Sequence, residues 1–106
     1  MEGGAKAGGE MKILAIEKEL PGAQAQDFRP LLKPEATAVW QLYQTGVIRE
    51  TYFRADRHAA VLVLECESAE AAKETLNELP LVKAGLIDFE IIPLVPYPGF
   101  ERLFTG

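Results

Sequence analysis

The apolar positions of this chain fall into blocks that switch between a period near two and a period near 3.6. Residues 12–19 begin with Ile13, Leu14, Ala15 and Ile16 and end in charge, the pattern of a strand buried on both sides. Pro34 suits a first helical turn, and residues 35–45 continue to a stop at Gly46, with Ala36, Val39, Trp40 and Tyr43 along one face. That face is expected against a sheet, where Trp40 either packs as core or walls a ligand cavity. Residues 47–54 and 59–67 read as two strands around Ala55-Asp56-Arg57-His58, an antiparallel hairpin. The second is continuous and β-branched, hence central. The first is mixed: Ile48, Glu50, Tyr52 and Arg54 alternate with Val47, Arg49, Thr51 and Phe53. Neither of its faces is wholly apolar, as expected of a strand that touches a polar-lined space. Ser68 is placed to cap a helix over residues 69–79, with Ala72, Leu76 and Leu79 inward and Glu70, Lys73, Glu74, Asn77 and Glu78 solvated. Leu79-Pro80 closes that helix and Gly85 turns the chain. A last strand over residues 86–94 then alternates Ile87, Phe89 and Ile91 with Asp88 and Glu90.

The order strand, helix, strand, strand, helix, strand is that of an α+β, ferredoxin-like βαββαβ domain over residues 11–94: a four-stranded antiparallel sheet with both helices on one face. The other sheet face then needs a cover. In a chain of 106 residues the available cover is a second copy, and two sheets face to face make a dimeric α/β barrel. Residues 20–33 form a long excursion or short helical turn between the first strand and helix. Residues 1–10, rich in Gly and Ala, are expected to be a flexible extension. Residues 95–106 carry Tyr97, Phe100, Leu103 and Phe104 and are expected to pack on a partner subunit or over a cavity.

Composition removes several function classes. A formal net charge of −5 is unsuited to a phosphate backbone, so no nucleic-acid partner is expected. No apolar run of about 18 residues occurs, so no membrane span is expected. The single cysteine, Cys66, precludes an internal disulfide framework and fits a reducing, cytoplasmic compartment; beside Leu64 it reads as a small core residue. One histidine, one cysteine and no zinc-type spacing predict no metal, and no cofactor motif is present.

The Leu79-Pro80-Leu81 turn followed by Ile87-Asp88-Phe89-Glu90-Ile91 resembles the end of the muconolactone isomerase family. So do the helix stop at Gly46, a strand with Arg49 and Tyr52, and a Ser-x-Glu-Ala helix start at Ser68. The resemblance implies a cofactor-free cavity, between sheet and helices, for a small anionic or carbonyl-bearing molecule.

Moving a proton beside a carbonyl requires a base whose pKa is lifted toward neutrality and a partner for the developing oxyanion. Asp88 and Glu90, two residues apart on one strand face, are the candidate catalytic carboxylates. Arg49, Tyr52 and Arg54 are the candidate anion or oxyanion partners, with Trp40 as cavity wall. The competing reading places Asp88 and Glu90 in a subunit interface, paired with Arg49 or Arg54. His58 is expected at the surface of its turn, and Glu17 either at the cavity mouth or solvated. The readings in order are cofactor-independent proton transfer on a small lactone or enolisable acid, a non-catalytic ligand-binding or interaction module, and a cofactor-free monooxygenase.

Overall fold

A computed structural model describes residues 10–105. The expected N-terminal extension therefore lies, except for Glu10, outside the described residues. Four strands, β1 (Met11–Glu19), β2 (Ile48–Phe53), β3 (Ala60–Cys66) and β4 (Ile87–Leu94), form one sheet in the order β2-β3-β1-β4. Every neighbouring pair is antiparallel. The helices are α1 (Ala25–Phe28), α2 (Leu32–Gln44), α3 (Ala69–Asn77) and α4 (Pro80–Lys83). A 3-10 turn, Arg29–Leu31, joins α1 to α2, and a second one, Pro98–Leu103, lies beyond β4.

Local chemistry sets the boundaries. The Ser68 side chain accepts a hydrogen bond from the Ala71 amide at 3.0 Å and starts α3, satisfying one of the amide donors a helix start leaves open. Ser68→Ala is expected to cost about 1 kcal/mol in chemical denaturation; a loss within a few tenths would mean that water replaces the cap. Gly46 and Gly85 end α2 and α4 with φ of 86° and 77°, backbone that a side chain would strain. The expected helix over 69–79 is shorter, because a residue before proline is pushed out of the helical region: Leu79 is extended, with φ −65° and ψ 138°. Pro80 then opens the separate turn α4, which the sequence pattern missed. Residues 20–33 are likewise less irregular than expected, since α1 and the 3-10 turn run into α2 two residues before Pro34.

The core lies on one sheet face. Ile13 and Ala15 of β1, Leu62, Leu64 and Cys66 of β3, and Ile87 and Phe89 of β4 are buried against Ala72 and Leu76 of α3, with Leu79 and Leu81. Helix α2 behaves differently. None of its residues is fully buried, and only Ala38, Val39 and Leu42 pack against the core. Of the stripe expected on the sheet, Trp40 and Tyr43 are 56% and 48% exposed. The helix stands off, and a cleft opens beneath it.

Strand β2 carries a bulge at Arg49: Ile48 pairs with Leu64, but the next pair is Glu50 with Val63. The extra residue breaks the alternation expected over 47–54. Ile48, Thr51 and Phe53 consequently share the helix-side face, opposite Leu64, Leu62 and Ala60, while Glu50 and Tyr52 pair with Val63 and Val61 on the other. That other face carries half-buried Leu14, Ile16, Val61, Val63 and Ile92 between charged residues. After β4 the chain leaves the body with Tyr97 and Phe100 in edge contact at 5.0 Å and Phe104 84% exposed.

Candidate functional site

The space between α2 and the sheet is a half-open cleft of about 1010 Å³. Its floor is Leu62 and Phe89 with Leu79 and Leu81, and its walls include Phe28, Leu32, Val39, Trp40, Tyr43 and Phe53. Of the four glutamates that line this space, Glu19 and Glu50 are exposed, while Glu17 from β1 and Glu35 from α2 are half-buried and come from different elements.

Each of the half-buried pair is held at one oxygen. Glu17 Oε1 accepts from the Ala60 amide at 2.9 Å, and Glu35 Oε1 accepts from the Leu81 amide at 2.9 Å. The second contact explains the Leu79-Pro80-Leu81 turn: α4 begins at Pro80, so the Leu81 N–H has no partner within its own helix and points at Glu35. Desolvation raises the pKa of both groups above the usual carboxylate value, and the amide bonds oppose it. For Glu35 the negative charge of Glu17 adds to the rise, whereas the nearby His58 charge pulls Glu17 partly back. Glu35 feels no such cationic relief. His58 lines the same cleft and packs edge-on against Phe53 with ring centres 4.5 Å apart.

Two guanidinium groups border the cleft. Arg49 reaches Glu65 at 3.3 Å, and Arg29 has no ion-pair partner among the described residues. Tyr52, on the far face of the edge strand β2, borders the cleft at the open sheet edge together with Glu50, and its hydroxyl donates to Glu50 Oε1 at 2.8 Å, a bond that raises the phenol pKa.

The residues singled out in the sequence therefore separate. Trp40, Arg49 and Tyr52 come together at the cleft. Arg54 does not: it is engaged by Asp56 through two hydrogen bonds of 2.9 and 2.8 Å in the hairpin loop. Asp88 and Glu90 do not line the cleft either. They alternate with the inward-facing Ile87 and Phe89, as expected, whereas the cleft is on the helix side at Phe89; from the edge strand β4, Asp88 instead reaches Lys73 of α3. Asp88 accepts from the Phe89 amide at 2.9 Å and from Lys73 at 3.1 Å, and these bonds hold its carboxyl below the usual range. Its cation is Lys73, in place of the arginines expected of the interface reading. Glu90 is exposed.

His58 is exposed, as expected of its turn, and also borders the cleft, in which Glu17 is half-buried. Glu35 escaped notice as an ordinary acidic residue of a first helical turn. A signal existed for both carboxylates. Glu35, Val39 and Leu42 share a helical stripe, and Glu17 continues the inward parity of Ile13 and Ala15. A carboxylate on an apolar stripe has a reason to be there.

Among the described residues no group of three or more His, Cys, Asp or Glu side chains is placed to hold a metal, and no helix is long and apolar enough to cross a membrane.

Comparison with known proteins supports the architecture as a whole. No curated protein matches the sequence. A solved muconolactone isomerase, determined at 3.3 Å resolution, superposes with a TM-score of 0.69 and 26% identity, covering 83% of this chain and 92% of its own. The family model described as muconolactone delta-isomerase matches residues 13–99. That span takes in all four strands but for the first two residues of β1, both sides of the cleft and the carboxylates Glu17 and Glu35, and the chain belongs to the muconolactone delta-isomerase family.

Proposed function

We propose that the protein catalyses cofactor-independent proton transfer within a small lactone or enolisable acid bound under α2, with Glu35 as the base. The observation that carries this reading is a half-buried carboxylate of raised pKa, fixed at one oxygen by the Leu81 amide and facing an apolar cleft. A base of that kind takes a proton from the carbon beside a carbonyl and returns it at another carbon of the conjugated system. As the proton leaves, charge moves onto the carbonyl oxygen. His58 and Arg49 border the same cleft as donors for that oxygen, and Glu17 sits beside His58 to orient it. Arg29 is the candidate clamp for a substrate carboxylate. Deuterium entry from heavy water into muconolactone and related lactones, followed by NMR, tests the reading. No uptake across the panel, with the ligands shown to bind, leaves a binding module of the same fold.

The assembly belongs to the same proposal. The apolar strip Leu14, Ile16, Val61, Val63 and Ile92 faces its equivalent on a second copy, and the tail packs on the neighbouring subunit. The supporting observation is the exposure of Val95, Tyr97, Phe100, Leu103 and Phe104, which together form an apolar arm with little contact to its own domain. Removing residues 97–106 is expected to lower the mass measured by light scattering to that of a smaller assembly while the domain's circular dichroism is kept. An unchanged mass would show that the tail serves the cleft of its own chain.

A further inference from the structure

We infer that the substrate of this cleft carries a flat apolar ring beside its acidic or carbonyl group, bound against the Trp40 and Tyr43 wall. The inference rests on the proton-transfer reading and names the substrate class it would act on.

Glu17 and Glu35 come from different elements, each tethered to a main-chain amide, and Leu81 and Phe89 lie on the floor. A monocyclic lactone acid within reach of Glu35 would leave most of the 1010 Å³ empty, at the top of the range of about 300–1,000 Å³ found for drug-sized ligands. The remaining lining carries the aromatic side chains Phe28, Trp40, Tyr43 and Phe53 beside the polar Arg29, Arg49 and Thr51. Trp40 and Tyr43 stack on one another with centres 5.8 Å apart and planes 27° from parallel, a paired aromatic wall of the cleft. Phe53, 61% exposed, stands on the β2 side of the same cleft. A helix resting on a sheet would bury this stripe; here the stand-off of α2 leaves it facing the cleft. An aromatic group between these walls gains offset-stacked and edge-to-face contact, and the desolvation it brings keeps the Glu35 carboxyl pKa raised.

The chain contains one tryptophan, so the emission of Trp40 reports occupancy of the wall directly. The full-length protein is titrated in parallel with muconolactone and with the same lactone acid bearing a phenyl substituent, reading Trp40 emission, and deuterium uptake is followed separately in each. The phenyl compound is expected to shift the emission and to bind at least about tenfold more tightly. Tyr43→Ala and Phe53→Ala, both at exposed positions, should bring the ratio of the two dissociation constants toward one. Equal affinity for the two compounds, or no binding of the phenyl compound, overturns the inference. Emission that responds to protein dilution but to neither ligand also overturns it, by showing that the wall is covered by another subunit. Preferential binding of the phenyl compound with no deuterium uptake in either compound overturns the catalytic reading and leaves the aromatic wall as the binding site of a ring-bearing ligand.

Discussion

Glu35→Gln is expected to lower proton exchange by about 10²- to 10⁴-fold, the range that a positioned general base contributes, and at the same time to make the protein more stable at neutral pH. The two effects have one cause. Glutamine keeps an oxygen that accepts from the Leu81 amide but removes a charge that the cleft desolvates. Because burial raises the folded-state pKa of Glu35 above its ordinary value of 4.5, the folded protein binds more protons than the unfolded chain between the two values. Stability contributed by this group therefore falls as pH rises from the ordinary value through the raised one, and stays low above it. Glu17 acts in the same direction, while Asp88, whose pKa is depressed, loses its contribution only as pH falls. Thermal melts of Glu35→Gln and wild type should differ in favour of the variant at neutral pH and converge below pH 4.5. Asp88→Asn and Glu90→Gln supply the control, since neither side chain lines the cleft. Exchange lost in either of these and retained in Glu35→Gln would return the catalytic role to the last strand.

Leu64→Ala is expected to destabilise the domain by about 2–5 kcal/mol, a large share of the roughly 5–15 kcal/mol that holds such a domain together. Leu64 is wholly buried and stands in register with Ile13 on one side and Ile48 on the other, both also buried. A cavity there is closed in by sheet neighbours and by the helix layer, so the surroundings collapse poorly. Urea denaturation at fixed protein concentration should show a lower midpoint with an unchanged slope; a loss under about 1 kcal/mol would mean that α3 settles into the gap. Leu64 does not line the cleft, so variant protein that remains folded should exchange protons at the wild-type rate. Glu35→Gln and Leu64→Ala thus separate the site from the scaffold: one removes chemistry and adds stability, the other does the reverse.

The strand and helix order, the Ser68 cap, the glycine stops and the alternation of Asp88 and Glu90 with the inward-facing Ile87 and Phe89 were legible in the sequence, because each depends on periodicity or on bonds within a few residues of chain. The same local rules made Asp88 and Glu90 look like the natural pair of carboxylates, since they are neighbours on one strand. The half-buried pair in the cleft, Glu17 and Glu35, is separated by a strand end, a loop and a helix start. Each is held by an amide more than 40 residues away, Ala60 at 43 positions and Leu81 at 46. The bulge at Arg49 likewise reassigns the faces of β2, and it is defined only by pairing with β3.

The sequence by itself determined a ferredoxin-like domain of the muconolactone isomerase type and which residues stand on which face of most of its elements. Only the tertiary structure decided that α2 stands off the sheet, on which side the cleft opens and which carboxylates it desolvates. Facing is a property of local geometry, whereas a cavity is space left between elements distant in sequence, and so is the burial that shifts a proton equilibrium.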